Sequence, residues 1–278
     1  MPIDPRLRDR VAVITGANSP LGIGAAIARA LARQGSKVVL ASLPETPPST
    51  AVTGADATYG NAKATDTDHV RDALRADGAD AESLAIDLAD PAAAPTIFDH
   101  AETAFGPVEI LINNAAHCVP DTFQPEPVRG LVTVDAAGLD AHHAVNTRAP
   151  ALLMAEFHRR HLRRKARWGR IINISTDAAS GAADEISYWA TKNALESLSR
   201  SAAVELGPAG TTVNIISPGP VQTGWLNDDL ADRVAELSPL GRIGRPDDIA
   251  DLAVFLASHQ ARWITGQTIY AGGGKRML

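Results

Sequence analysis

Cysteine is nearly missing from this chain. Cys118 is the single copy, so no internal disulfide can form. A reducing cytoplasm is the simplest compartment for such a protein. Long apolar runs are missing as well. No stretch approaches the roughly 18 apolar residues of a membrane helix, and the opening MPIDPRLRDR lacks the apolar core of a secretory signal. A cytoplasmic protein with no membrane partner is expected. Positive charge is not in excess: 26 Lys and Arg face 32 Asp and Glu, a formal net charge of -6. That balance argues against a general nucleic-acid or anionic-membrane role. His117 and Cys118 are adjacent, but a metal centre needs more ligands than this pair, so no metal is expected. No internal repeat and no linker divides the sequence.

What is present suits one large α/β domain spanning residues 1–278. Of these 278 residues, 45% are hydrophobic, enough to bury a sizeable core. The runs RVAVIT, KVVLAS, ESLAID, VEILINNA, GRIINIS, TTVNIIS and GQTIYA are short and rich in Val and Ile, as buried strands are. Helix-length segments separate most of them. In the first, Ile23, Ile27, Ala30 and Leu31 share a face, and Gly35 follows as a stop. This alternation predicts a doubly wound, seven-stranded parallel sheet flanked by helices, a Rossmann fold. The stretch at about 44–65 lacks periodicity and is rich in Pro, Thr, Ala and Gly. It is expected to be a loop insertion, either a surface excursion or a cover for the adenosine end of a cofactor.

TGANSPLGIG, Thr15 to Gly24, lies between the first strand and the first helix. A helix N-terminus there offers N–H groups and partial positive charge to a pyrophosphate. Gly16, Gly22 and Gly24 would let the backbone approach it closely. The spacing is not G-x-G-x-x-G, so the loop taken alone is also compatible with a plain turn. The second strand ends at Ser42, where an acidic residue would hold the ribose 2′-hydroxyl of NAD. Its absence favours NADP(H) over NAD(H). No arginine stands at Leu43 to clamp a 2′-phosphate, and Lys63 in the long loop is one basic residue that would serve.

YWATK places Tyr188 and Lys192 four apart at the start of a long helical stretch, on one face. A phenol ordinarily titrates near pH 10. A neighbouring ammonium favours its anion, so that near neutral pH it can exchange a proton with a substrate oxygen. Lowering that pKa by ~3 units takes roughly 4 kcal/mol. The strand GRIINIST before it ends in two hydroxyls, and the strand in VNIISPGPVQTGW after it runs into a Pro-Gly turn. Ligands of open α/β sheets sit at such strand ends.

On these motifs the whole chain resembles the short-chain dehydrogenases/reductases, and its tail GRIGRPDDIADLAVFLASHQARWITGQTIYAGGG is similar to that of 3-oxoacyl-[acyl-carrier-protein] reductase-like members. The resemblance implies cofactor contacts at Gly16, Asn18, Ser19, Leu21, Gly22, Ile23, Ser42, Asp87, Leu88, Asn114, Ala115, Pro218, Gly219, Val221 and Thr223, with Tyr188 and Lys192 also touching the cofactor. It implies a catalytic group of Asn146, a strand-end hydroxyl, Tyr188 and Lys192. The family's usual thirteen-residue spacing from Tyr188 gives Ser175, whereas counting along the strand gives Thr176. Only one of two neighbours can face the cleft, and the strand register favours Thr176. The segment at about 220–245, including Trp225, resembles the family's substrate lid.

The implied activity is hydride transfer between NADP(H) and a carbonyl or secondary alcohol, a ketoreductase. Its substrate is a small molecule or a carrier-protein-bound acyl chain. Alternatives are an NAD-dependent secondary-alcohol dehydrogenase and a non-catalytic dinucleotide-binding sensor. The family implies a homotetramer or homodimer. His142 and His143 are expected on a helix surface. The basic run His158–Arg170 is expected to be a solvated helix end, or else a dock for an acidic carrier protein or a phosphorylated substrate.

Overall fold

The computed structural model describes residues 4–44, 67–124 and 131–274. The expected insertion, with Lys63, lies outside the described residues apart from Pro44. All seven expected strands form: β1 (Val11–Thr15), β2 (Lys37–Ser42), β3 (Ala81–Ala85), β4 (Val108–Asn113), β7 (Gly169–Ile174), β8 (Thr211–Pro218) and β9 (Thr268–Ala271). They make one sheet in the order β3-β2-β1-β4-β7-β8-β9, with every neighbouring pair parallel. A separate parallel pair, β5 (Asp121–Thr122) and β6 (Val132–Thr133), was not foreseen.

Helices cover both faces: α1 (Ile23–Arg33), α2 (Thr67–Ala76), α3 (Ala93–Phe105), α4 (Ala136–His143), α5 (Ala149–Arg163), α6 (Ile186–Leu206), α7 (Asp228–Glu236) and α8 (Pro246–Ala257). Strand alternation explains the continuous apolar runs. Ala12, Ile14, Ile110, Ile112 and Ile172 face one layer, with Ile27 and Leu31 of α1 and Ile249 and Leu256 of α8. Val11, Val13, Leu111 and Ile171 face the other, with Ile97 and Phe98 of α3 and Leu153 and Phe157 of α5. A sheet buried on both faces needs no polar alternation. No helix among the described residues is long and apolar enough to cross a membrane.

The chain builds outward from β1 to β3, then returns to place β4 on the other side of β1. The sheet therefore changes direction between β1 and β4. A crevice opens there at the carboxyl ends, where such folds bind ligands.

Candidate functional site

The glycine turn sits in that crevice. Gly16 has φ +68, and a Cβ on it would lie 2.6 Å from the Ala115 Cα. A Cβ on Gly24 would lie 2.5 Å from both the Asn114 Nδ2 and the Gly16 carbonyl oxygen. Both glycines are thus required by close backbone approach. Asn114 and Ala115 hold the turn from β4. The Asn114 amide donates to the carbonyls of Thr15 (3.0 Å) and Gly16 (2.9 Å). The Thr15 hydroxyl accepts from the backbone N–H groups of Asn114 and Ala115, each at 3.1 Å.

Helix α1 then starts at Ile23 with Gly22 as its N-cap and no side-chain cap. The Ser19 hydroxyl is buried and lacks a hydrogen-bond partner among the described residues. An uncapped helix N-terminus beside an orphaned hydroxyl and a glycine cradle fits the pyrophosphate of a dinucleotide. Asn18, Ser19, Leu21 and Ile23 all belong to this turn or to the first turn of α1.

At the expected adenosine end, Ser42 closes β2 but is only 2% exposed. Its hydroxyl hydrogen-bonds that of Thr67, the first residue of α2. Leu43 beside it is 57% exposed. Asp87 accepts from the Ala89 N–H at 2.8 Å, and Leu88 is buried after β3.

Across the crevice, α6 carries Tyr188 and, one turn on, Lys192. The Lys192 Nζ lies 5.6 Å from the centroid of the Tyr188 ring and donates to the Ile174 carbonyl at 2.8 Å. Lys192 is 2% exposed, and burial pushes its pKa down to about 8. A group with that pKa is still chiefly protonated at pH 7, so the ammonium beside Tyr188 persists. The start of α6 is fixed by a residue that sequence reasoning missed. Buried Asp121 accepts from both the Ser187 N–H (3.0 Å) and the Ser187 hydroxyl.

Asn146 stands in a π-helical turn, Ala144–Arg148, between α4 and α5. Such turns accompany functional sites in many helices. Asn146 is fully buried. Its amide accepts from the His117 N–H (2.8 Å) and donates to the His117 carbonyl (2.8 Å) and the Thr191 hydroxyl (3.0 Å). Asn146 thereby ties the loop after β4 to the residue preceding Lys192.

The two strand-end hydroxyls part company. Ser175 is buried, and its Oγ donates to the Glu196 Oε1 at 2.7 Å. Thr176, next along, is half-buried. Alternation therefore takes Ser175 into the interior beside α6, and Glu196 is a second partner the sequence reading did not contain.

Pro218 ends β8 and Gly219 follows it. A Cβ on Gly219 would lie 2.7 Å from the Gly272 Cα. Val221 is buried and bridged to Gly244, and Thr223 is half-buried. The expected lid contains α7. Its ends are held by Trp225, which donates to the Val221 carbonyl at 3.0 Å, and by Arg242 against Asp248, two contacts of 2.7 Å. Leu237 and Leu240 on this segment are exposed.

Two expectations fail. His142 is not on the surface. It is 1% exposed, with Nδ1 donating to the Gly138 carbonyl (2.7 Å) and Nε2 accepting from the Val119 N–H (3.1 Å). The acceptor role of Nε2 fixes the Nδ1–H tautomer. His143 is exposed as expected. The basic run is not a uniform solvated end either. Arg160 is held by Asp99, Glu102 and Glu156 at 2.5–2.6 Å, Arg159 also pairs with Glu156, and His161 and Arg170 are buried. Helix α3 supplies two of those carboxylates, and its proximity is invisible in the run itself.

A family model described as enoyl-(acyl carrier protein) reductase matches residues 16–276. The chain is 38% identical over 268 residues to the uncharacterized oxidoreductase YjdA of Bacillus subtilis, covering 96% of this chain and 97% of that one. It is 34% identical over 275 residues to L-rhamnose 1-dehydrogenase (NAD(P)(+)) of Azotobacter vinelandii, covering 96% and 97%. It is 30% identical over 276 residues to the 3-oxoacyl-[acyl-carrier-protein] reductase FabG of Escherichia coli, covering 97% and 98%. Fold, crevice and full-length similarity agree: the chain belongs to the short-chain dehydrogenase/reductase family and is an oxidoreductase.

Proposed function

We propose that this enzyme is an NADP(H)-dependent ketoreductase acting on a carbonyl or the matching secondary alcohol, in the manner of 3-oxoacyl reductases. The observation that carries the reading is Tyr188 beside the buried Lys192 ammonium, on the helix that flanks the strand end at Thr176. The nicotinamide, when bound, supplies or takes the hydride at the substrate carbon. Tyr188 gives the proton to the substrate oxygen in reduction and removes it in oxidation. Thr176 hydrogen-bonds the same oxygen, because the Ser175 hydroxyl is committed to Glu196. The Lys192 charge favours the phenolate of Tyr188 and is placed to hold ribose hydroxyls. Asn146 fixes the loop at His117 and the backbone beside Lys192, which suits a proton path from the lysine to solvent.

The NADP(H) preference is supported by Ser42, where no carboxylate repels a 2′-phosphate. The NAD-dependent dehydrogenase remains the second reading. Its support is Leu43, which offers no positive charge to a 2′-phosphate. Trp225, Leu237 and Leu240 expose apolar surface along the lid segment, which favours a bulky or acyl substrate, free or carrier-borne. Exposed Leu152, Leu162 and Val204 on α5 and α6 support assembly as a homodimer or homotetramer. A single cysteine supports a cytoplasmic setting.

The test is a panel of ketones, β-ketoacyl thioesters and alcohols with each dinucleotide, followed at the nicotinamide absorbance. At least tenfold higher kcat/KM with NADPH is expected. A tenfold preference for NADH would replace the reading with the dehydrogenase. Full activity in Tyr188→Phe would remove the mechanism.

A further inference from the structure

A second concavity, of about 570 Å³, lies at the opposite, amino-terminal edge of the sheet. Its walls include Trp168, Arg170, Thr212, His259, Arg262 and Trp263, together with Arg167. Arg170 is five residues before Ser175 on the same strand, so the concavity is about 17 Å from the catalytic end.

Arg170 is unusual. It is 2% exposed, yet no carboxylate pairs with it among the described residues. One of its nitrogens, Nη1, donates to the Gly169 carbonyl at 2.8 Å, while Nε is buried without a partner among the described residues. Burial and the nearby Arg10 push its pKa down to about 10. Directly across the ladder, Thr212 presents a buried hydroxyl that also lacks a partner among the described residues.

An unpaired buried cation is costly unless an anion meets it. None of the lining residues is acidic. Nearby, Glu109 is paired with Arg10, and Asp4, within Coulombic reach of His259, lies outside the lining. The guanidiniums of Arg10 and Arg170 lie 4.2 and 4.5 Å from the Trp168 ring centroid, so that indole is already taken. The Trp263 indole is 96% exposed and open to a ligand. The volume is that of a small-molecule site, and several arginines with no acid suit a dianion better than a monoanion.

We propose that this concavity is a second ligand site for a phosphate monoester bearing a flat ring, a mononucleotide in size and chemistry. Arg170, Thr212 and Arg262 take the phosphate, and Trp263 stacks on the ring.

The test counts AMP bound per chain by titration calorimetry on the full-length protein. Arg262 is exposed, so Arg262→Ala retains the fold. It is expected to bind one AMP fewer per chain than wild type. Thr212→Val, close to isosteric, weakens that same site at least tenfold. Inorganic phosphate competes for it, and Trp263→Ala weakens AMP there without weakening phosphate. Turnover with the preferred dinucleotide is unchanged in Arg262→Ala. Equal AMP stoichiometry and affinity in wild type, Arg262→Ala and Thr212→Val would overturn the proposal. A failure of the ketoreductase reading would show instead in the dinucleotide and substrate kinetics, without touching this count.

Discussion

The Ser175 hydroxyl donates to the Glu196 carboxylate at 2.7 Å, inside the protein and one strand position from Thr176. This contact separates two hydroxyls that are equivalent in chemistry. Ser175→Ala removes the donor from a buried carboxylate and is expected to lower stability by about 1–3 kcal/mol, with kcat reduced only a few-fold. Thr176→Val is expected to lower kcat/KM at least 100-fold with little change in melting temperature. Paired measurement of kcat/KM and denaturation midpoint on both variants checks this. The reverse pattern would return the role to Ser175.

Burial lowers the Lys192 pKa from its ordinary 10.5 in the unfolded chain to about 8 in the folded protein. Between those values the unfolded chain holds more protons, so this residue makes stability rise with pH from about 8 to 10.5. Below pH 8 its burial is a cost. Lys192→Met is therefore expected to be inactive yet more stable than wild type at pH 7, by on the order of 2 kcal/mol after losing the Ile174 contact. The advantage shrinks as pH approaches 10.5. Urea unfolding of both proteins across this range is the check, and a pH-independent difference would contradict it.

Gly24 faces the Asn114 amide and the Gly16 carbonyl at distances a methyl group cannot share. Gly24→Ala must displace either the loop or Asn114. A dinucleotide dissociation constant raised at least tenfold is expected, with kcat at saturation less affected. Equilibrium binding by nicotinamide fluorescence reads this directly. Unchanged affinity would mean that the loop adjusts without loss.

Asp121 holds the first turn of α6 through Ser187, the residue before Tyr188. Asp121→Ala is expected to cost about 1–2 kcal/mol, as loss of a helix cap does, and to lower kcat more than it raises KM. Asp121→Asn keeps one acceptor and should recover part of both. Loss of stability with full kcat would make the contact purely structural.

Much of this architecture was written locally. Strands buried on both faces read as short Val/Ile runs, because no polar alternation is needed to satisfy a solvent side. The Tyr188–Lys192 pair was legible because a helical turn converts a spacing of four into a shared face. The glycine turn was legible only in company, since its spacing is irregular and its glycines are explained by atoms of Asn114 and Ala115, about 100 residues further along the chain.

By itself, then, the sequence determined the doubly wound sheet, the place of the crevice and the tyrosine–lysine pair, all consequences of short-range periodicity. Tertiary structure alone decided which strand-end hydroxyl is tied inside, what caps α6, that His142 is buried, and how the basic run divides. Arg160 went to the acids of α3 and α5, and Arg170 went to a cavity wall. Those outcomes depend on which distant segments the fold brings within hydrogen-bond reach, and no local pattern carries that distance.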